Sequence, residues 1–237
     1  MPELKEPARR SISYLTFDCY GTLIDWRRGI ETQLGGLLRK KGLPPNTQVY
    51  PTYVKLEAEE EGSYKKYNEI LSTTAVKVAI HFGLRINEKE ANEFAQSVPK
   101  WKPFDDTLRS LHSLGELGLK RVILSNIDTQ ILRDTIEEND LDVDGYITAE
   151  EIGSYKPAFG HWKYFFEKYN VEKSNVLHVA QSVFHDIIPA TKLSLSTAWI
   201  NRYEDPVPQN VHPTYSFQKL SEVIQLFSWS NRQDPKK

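Results

Sequence analysis

An α/β fold, with a parallel sheet covered by helices on both faces, is predicted by three features of this 237-residue chain. Short apolar, β-prone runs recur along it, and segments of helical periodicity separate them. The first run ends in a carboxylate, Asp18, followed by a Gly-Thr turn. Strands alternating with helices imply parallel pairing through right-handed crossovers.

The strands are expected at residues 12–17, 121–125, 145–148, 175–180, 197–201 and, more weakly marked, 215–217. The stretch from Trp26 to Pro103 departs from this alternation. It reads as helices over 29–41, 50–71, 73–82 and 88–97, punctuated by Gly42-Leu-Pro-Pro and Phe82-Gly-Leu. A βα crossover needs roughly a dozen residues, so this insertion is far longer than a connection requires. Residues 27–101 are therefore expected to form a helical cap domain. Residues 11–26 and 102–229 would form a discontinuous core, and the polar ends, 1–10 and 230–237, flexible termini.

Composition narrows the function classes. A formal net charge of −2 gives no electrostatic case for nucleic acid or an anionic membrane. A lone cysteine, Cys19, excludes an internal disulfide and fits a reducing compartment. The first residues lack the apolar core of a signal peptide, and no run reaches membrane-spanning length. A cytoplasmic protein is the expectation.

The chemistry is carried by four short stretches at expected strand ends. Asp18-Cys-Tyr20-Gly-Thr22 follows the first strand, where open α/β sheets place their sites. A carboxylate held there can attack carbon or phosphorus and form a covalent ester. Ser125-Asn126 closes the second strand with a hydroxyl and an amide suited to an oxyanion or carboxylate. Lys156-Pro157 offers an ammonium that could balance Asp18 and favour its charged form. Gln181-Ser182-Val-Phe-His185-Asp186 ends a further strand with an acid. Each residue also has a plainer use. Asp18 and Asp186 could cap helices or turns; Thr22 and Ser125 could bond local backbone; Asn126 could be a turn residue; Lys156 could be solvated; His185 could be structural.

Taken in order, the four stretches resemble motifs I to IV of the haloacid dehalogenase superfamily. The resemblance covers about residues 12 to 202 and implies a Rossmann-like core with an inserted helical cap. Superfamily phosphatases carry a second motif I aspartate as acid and base, and bind magnesium through motif I and IV carboxylates. Here those places read Tyr20 and Gln181. The Asp-x-Tyr-Gly-Thr form is similar to that of the type II 2-haloacid dehalogenases, as is the strand ending Ala198-Trp-Ile-Asn201-Arg202. That likeness implies Asp18 as nucleophile, Thr22 as its positioner, Lys156 as charge partner and Asp186 as the residue that orients or activates water. It assigns Ser125 and Asn126 to substrate and halide, and Tyr20, Gln181, Ser182 and His185 fall in the substrate-binding set. It further implies no metal, no cofactor, a small carboxylic acid substrate and a homodimer.

Several positions depart from that subfamily. Gln181 and Val183 stand where serine and asparagine are usual, and Trp162 replaces a tyrosine. The arginine that grips halide and carboxylate, about thirty residues past the nucleophile, has no counterpart in Asn46–Lys55; Arg27, Arg28 and Lys55 are the candidate replacements. His185 and Asp186 both stand as candidates to activate water. Three other readings stand beside the dehalogenase: a hydrolase of another small or secondary-metabolite substrate, a magnesium-dependent phosphatase, and a non-catalytic binding protein on the same scaffold.

Overall fold

The computed structural model describes residues 11–206 and 208–228. Six parallel strands form one sheet in the order β3-β2-β1-β4-β5-β6. They are β1 (Tyr14–Phe17), β2 (Lys120–Ser125), β3 (Gly145–Thr148), β4 (Val176–Ala180), β5 (Ser196–Ile200) and β6 (Tyr215–Phe217). All six expected strands are present. β1, β2 and β4 are nearly continuous apolar runs because helices cover the central strands on both faces; Leu15, Phe17, Ile123, Leu124 and Val179 are fully buried. The chain leaves β1 for one side of the sheet and returns to β4 on the other. The carboxyl ends of β1 and β4 therefore open onto a crevice at the switch point.

Five α-helices run between β1 and β2, and the first four are α1 (Trp26–Lys40), α2 (Val49–Glu60), α3 (Tyr67–His81) and α4 (Glu88–Gln96). The sequence reading placed a single helix over 50–71, and the structure corrects it. Gly62 and Ser63 break the chain after Glu60. A new helix starts at Tyr67 because the Asp128 carboxylate, from the loop after β2, accepts from the N–H groups of Tyr67 at 2.8 Å and Asn68 at 2.9 Å. An N-terminal cap supplied from 60 residues away leaves no local signature.

Trp26, Tyr53, Phe94 and Trp101 join the insertion to its base, with ring centroids 4.7 to 6.3 Å apart. Gly29 is required there, since a Cβ would lie 2.1 Å from the Trp101 ring.

Beyond β2 the chain adds α6 (Thr129–Glu138), α7 (Ala149–Ile152), α8 (Gly160–Tyr169), α9 (Ile188–Lys192) and α10 (Gln225–Ser228); α5 (Thr107–Glu116) precedes β2. A π-type turn, Val183–Ile187, leads into α9. Its N-cap is Ser182, whose hydroxyl accepts from the His185 N–H, so the capping role open to Asp186 is filled by Ser182. No helix among the described residues is long and apolar enough to cross a membrane. The expected flexible termini lie outside the described residues.

Candidate active site

Asp18 stands one residue beyond β1, its N–H continuing the ladder onto the Val179 carbonyl. The next residues fold tightly, with the Cys19 carbonyl accepting from Thr22, Leu23 and Ile24. Gly21 is needed in this turn because its φ is +95°. The fold returns the Thr22 hydroxyl to Asp18 Oδ2 at 2.7 Å, while that hydroxyl accepts from the Gln181 N–H at 2.9 Å. Thr22 thus ties the nucleophile candidate to the end of β4.

Lys156 is 1% exposed, and all three ammonium protons are used. Nζ donates to Asp18 Oδ1 at 2.9 Å, Asp186 Oδ1 at 2.7 Å and the Leu124 carbonyl at 2.8 Å. Burial opposes the lysine's charge, but the two carboxylates outweigh it and its pKa is raised. Burial raises the Asp18 carboxyl above the ordinary aspartate value against the pull of Lys156, and the neighbouring Asp186 adds to the rise. Lys156 favours the charged form, as expected of it, but desolvation is the larger effect. Asp186 goes the other way, to about 2, because burial is outweighed by Lys156 together with His178.

The structure brings Asp18, Thr22, Lys156 and Asp186 into one hydrogen-bonded group. Tyr20, Ser125, Asn126, Gln181, Ser182 and His185 line the same cavity of about 1090 Å³. Several of these side chains are engaged with the protein rather than free for a ligand. Asn126 clamps the lysine's own peptide, its amide donating to the Lys156 carbonyl at 2.9 Å and its oxygen accepting from the Lys156 N–H at 2.6 Å. The Tyr20 hydroxyl lies 2.7 Å from Thr135 Oγ1 on α6. Burial raises its pKa well above the usual phenol value, so the hydroxyl stays protonated and is no base near neutrality. Both ring nitrogens of His185 have partners, with Ser182 Oγ 3.2 Å from Nδ1 and Glu61 Oε2 3.2 Å from Nε2. Burial works against charging this imidazole, but Glu61 outweighs it, and the pKa is raised.

Other residues in or beside the site escaped the sequence reading. His178 Nε2 donates to Asp186 Oδ1 at 3.0 Å, and its Nδ1 lies 2.9 Å from Thr16 Oγ1. A histidine inside an otherwise apolar central strand was the available signal. His161 donates from Nε2 to the Ser125 carbonyl at 3.0 Å; burial, then the Lys156 charge, press its pKa down to about 3, so it is neutral. Glu57 and Glu61 face the cavity from α2 and the turn after it. Their i,i+4 spacing after Tyr53 puts all three on one helical face. Glu57 accepts from the Tyr67 hydroxyl at 2.9 Å, and burial, then the Glu61 charge, push its carboxyl to about 8.

The resemblance to the superfamily's motifs raises magnesium as a candidate ion, and the donor set does not suit it. Such an ion asks for oxygen ligands in near-octahedral array. Here the ammonium of Lys156 bridges Asp18 and Asp186, and Gln181 contributes no charge. Among the described residues no cluster of three His, Cys, Asp or Glu is arranged to hold a metal ion. None of the three candidate replacements for the missing arginine lines the cavity. Arg27 pairs with Glu31 at 3.0 Å, and Arg28 and Lys55 are exposed elsewhere.

Comparison with known proteins bears on this arrangement. A curated relative, haloacetate dehalogenase H-2 of Moraxella sp. (strain B), is 24% identical over 92% of this chain and 99% of its own length. (S)-2-haloacid dehalogenase 1 of Pseudomonas sp. (strain CBS-3) is 26% identical over 89% of this chain and 94% of its own. Among solved structures, L-2-haloacid dehalogenase from Xanthobacter autotrophicus superposes with a TM-score of 0.80 at 19% identity, covering 91% of this chain and 98% of that one. A putative hydrolase of the superfamily, YfnB from Bacillus subtilis, solved bound to magnesium, superposes at 0.76 and 19% identity over 91% and 98% of the two chains. These likenesses establish the fold. The family model for haloacid dehalogenase-like hydrolases matches residues 12–191, and the chain belongs to that family.

Proposed function

We propose that this hydrolase cleaves a carbon–halogen bond, the activity that its dehalogenase relatives' names carry, and that it does so without a metal through a covalent ester on Asp18. The supporting observation is the Lys156 ammonium lying between Asp18 and Asp186. In this reading one Asp18 oxygen attacks the carbon bearing halogen, the carbon–halogen bond breaks, and halide leaves with the electron pair. Halide needs no proton to depart, which agrees with the engagement of Tyr20 by Thr135. Water then attacks the ester carbonyl, releasing an alcohol and a proton and restoring Asp18.

Asp186 is the better candidate to orient that water. Its Oδ1 is held by Lys156 and His178, whereas its buried Oδ2 has no protein partner among the described residues. His185 has both nitrogens engaged. Phosphatase chemistry is the poorer reading, because it would require an acid for the leaving alkoxide where Tyr20 stands. Residues 27–101 serve in this reading as a cap over the strand ends, excluding water.

The test is halide release from the enantiomers of 2-chloropropionate and 2-bromopropionamide in EDTA-containing buffer, with Asp18→Asn as control. Release lost in the mutant is expected. A single turnover in ¹⁸O-water should label the Asp18 carboxylate before the product; label entering the product alone would rule out the ester.

A further inference from the structure

We propose that the site, granted the Asp18 ester chemistry above, selects a bulky uncharged 2-halo carbonyl compound, such as an amide with an aryl group, over a free haloacid. The cations lining the cavity among the described residues are Lys156 and His185, with no arginine. Lys156 has all three protons committed to Asp18, Asp186 and Leu124. His185 is paired with Glu61. A substrate carboxylate would therefore find no free counter-charge. It would also face Glu61 and, at the rim, the exposed Asp205, and like charges brought together in a desolvated site oppose binding.

The insertion wall is instead suited to a neutral polar group. The Glu61 carboxylate can accept an amide N–H. Glu57, buried against the Tyr67 hydroxyl, adds no negative charge below its shifted range near 8. Size points the same way. The cavity of about 1090 Å³ exceeds the need of a two- or three-carbon acid. Its mouth carries Phe184 at 63%, Tyr64 at 41% and Val54 at 40% exposure, apolar surface that a substrate's aryl group would cover. The wall thus argues for an uncharged ligand by charge and for a bulky one by shape.

The experiment pairs 2-bromo-3-phenylpropionamide with 2-bromo-3-phenylpropionate on the full chain, measuring kcat/KM by bromide release. The amide is expected to be favoured about tenfold or more, the ratio that a modest unfavourable charge contact sets. Glu61→Arg should move the ratio toward the acid by at least about the same factor, since it supplies the missing cation at a partly exposed position. Calorimetric binding of 3-phenylpropionamide and 3-phenylpropionate to Asp18→Asn separates this inference from the ester chemistry. Amide binding without Asp18-dependent turnover of either bromide would uphold the ligand class and reject the nucleophile. Equal or tighter binding of the acid, or no binding of the amide, would overturn the inference whatever the turnover.

Discussion

The two walls of the cavity are built in opposite ways. On the core side, Asp18, Thr22, Lys156 and Asp186 are fixed by short hydrogen bonds from the ends of β1 and β4 and the loop before α8, and most polar atoms there already have protein partners. On the insertion side, Glu57, Glu61, Tyr67 and the exposed Tyr64 come from α2, α3 and the turn between them, and they meet the core through side-chain contacts, Glu61 with His185 and both tyrosines with Tyr155. The contrast teaches a division of labour. A reacting centre needs carboxylates held within tenths of an ångström, which strand ends supply, whereas ligand choice needs only complementary charge and shape.

Breaking the core side should cost most. Lys156→Ala strands two buried carboxylates, and a destabilisation of about 3–5 kcal/mol is expected, the usual result of removing one partner of a buried ion pair. Urea denaturation at neutral pH measures it, and halide release should fall with it. A midpoint unchanged from the parent would show that the core side is not organised around this ammonium.

Glu57 probes the insertion side through pH. Its carboxyl, at about 8 when folded, ionises at the ordinary 4.5 when unfolded. Between those values the unfolded chain gives up a proton that the folded chain keeps, so stability falls as pH rises from about 4.5 through 8. Glu57→Gln removes this titration. Relative to the parent, the variant should gain stability from pH 5 to pH 8, by roughly 4 kcal/mol at most at 1.36 kcal/mol per unit. Parallel urea midpoints for both proteins would contradict a protonated Glu57.

Where the two walls meet, smaller effects are expected. Gly29→Ala would push a methyl into the Trp101 ring and should cost about 1–3 kcal/mol, the range for overpacking. Thermal melts would report it, and a neutral result would mean that the aromatic base yields easily. Asp128→Ala removes the cap on α3 and should cost about 1 kcal/mol. Faster amide exchange confined to the first turn of α3 is the sharper readout; exchange spread across the whole insertion would mean that Asp128 holds both walls together.

Much of the core side was legible in the sequence because its residues lie in short stretches at strand ends, and an apolar run ending in a polar residue is a local pattern. Asp18 and Ser125 could be marked in this way and all six strands placed, whereas Thr22, Lys156 and Asp186 were singled out by the likeness of their stretches to the superfamily motifs. The role of Asn126 was not legible, because a clamp on the Lys156 peptide spans 30 residues. Nor was that of His178, whose meaning depends on Asp186 folding back over β4.

The sequence by itself determined the alternation of strands and helices, the long insertion after β1 and the carboxylate, hydroxyl and ammonium types available at the strand ends, since each is set by nearest-neighbour periodicity. Only the tertiary structure decided where α2 ends and α3 begins, that Tyr20 bonds Thr135, and that Glu57 and Glu61 rather than an arginine line the cavity with Asp18. Those outcomes depend on which distant side chains meet once the sheet has closed, and on how burial then reorders their pKa values. Neither is encoded in the spacing of residues along the chain.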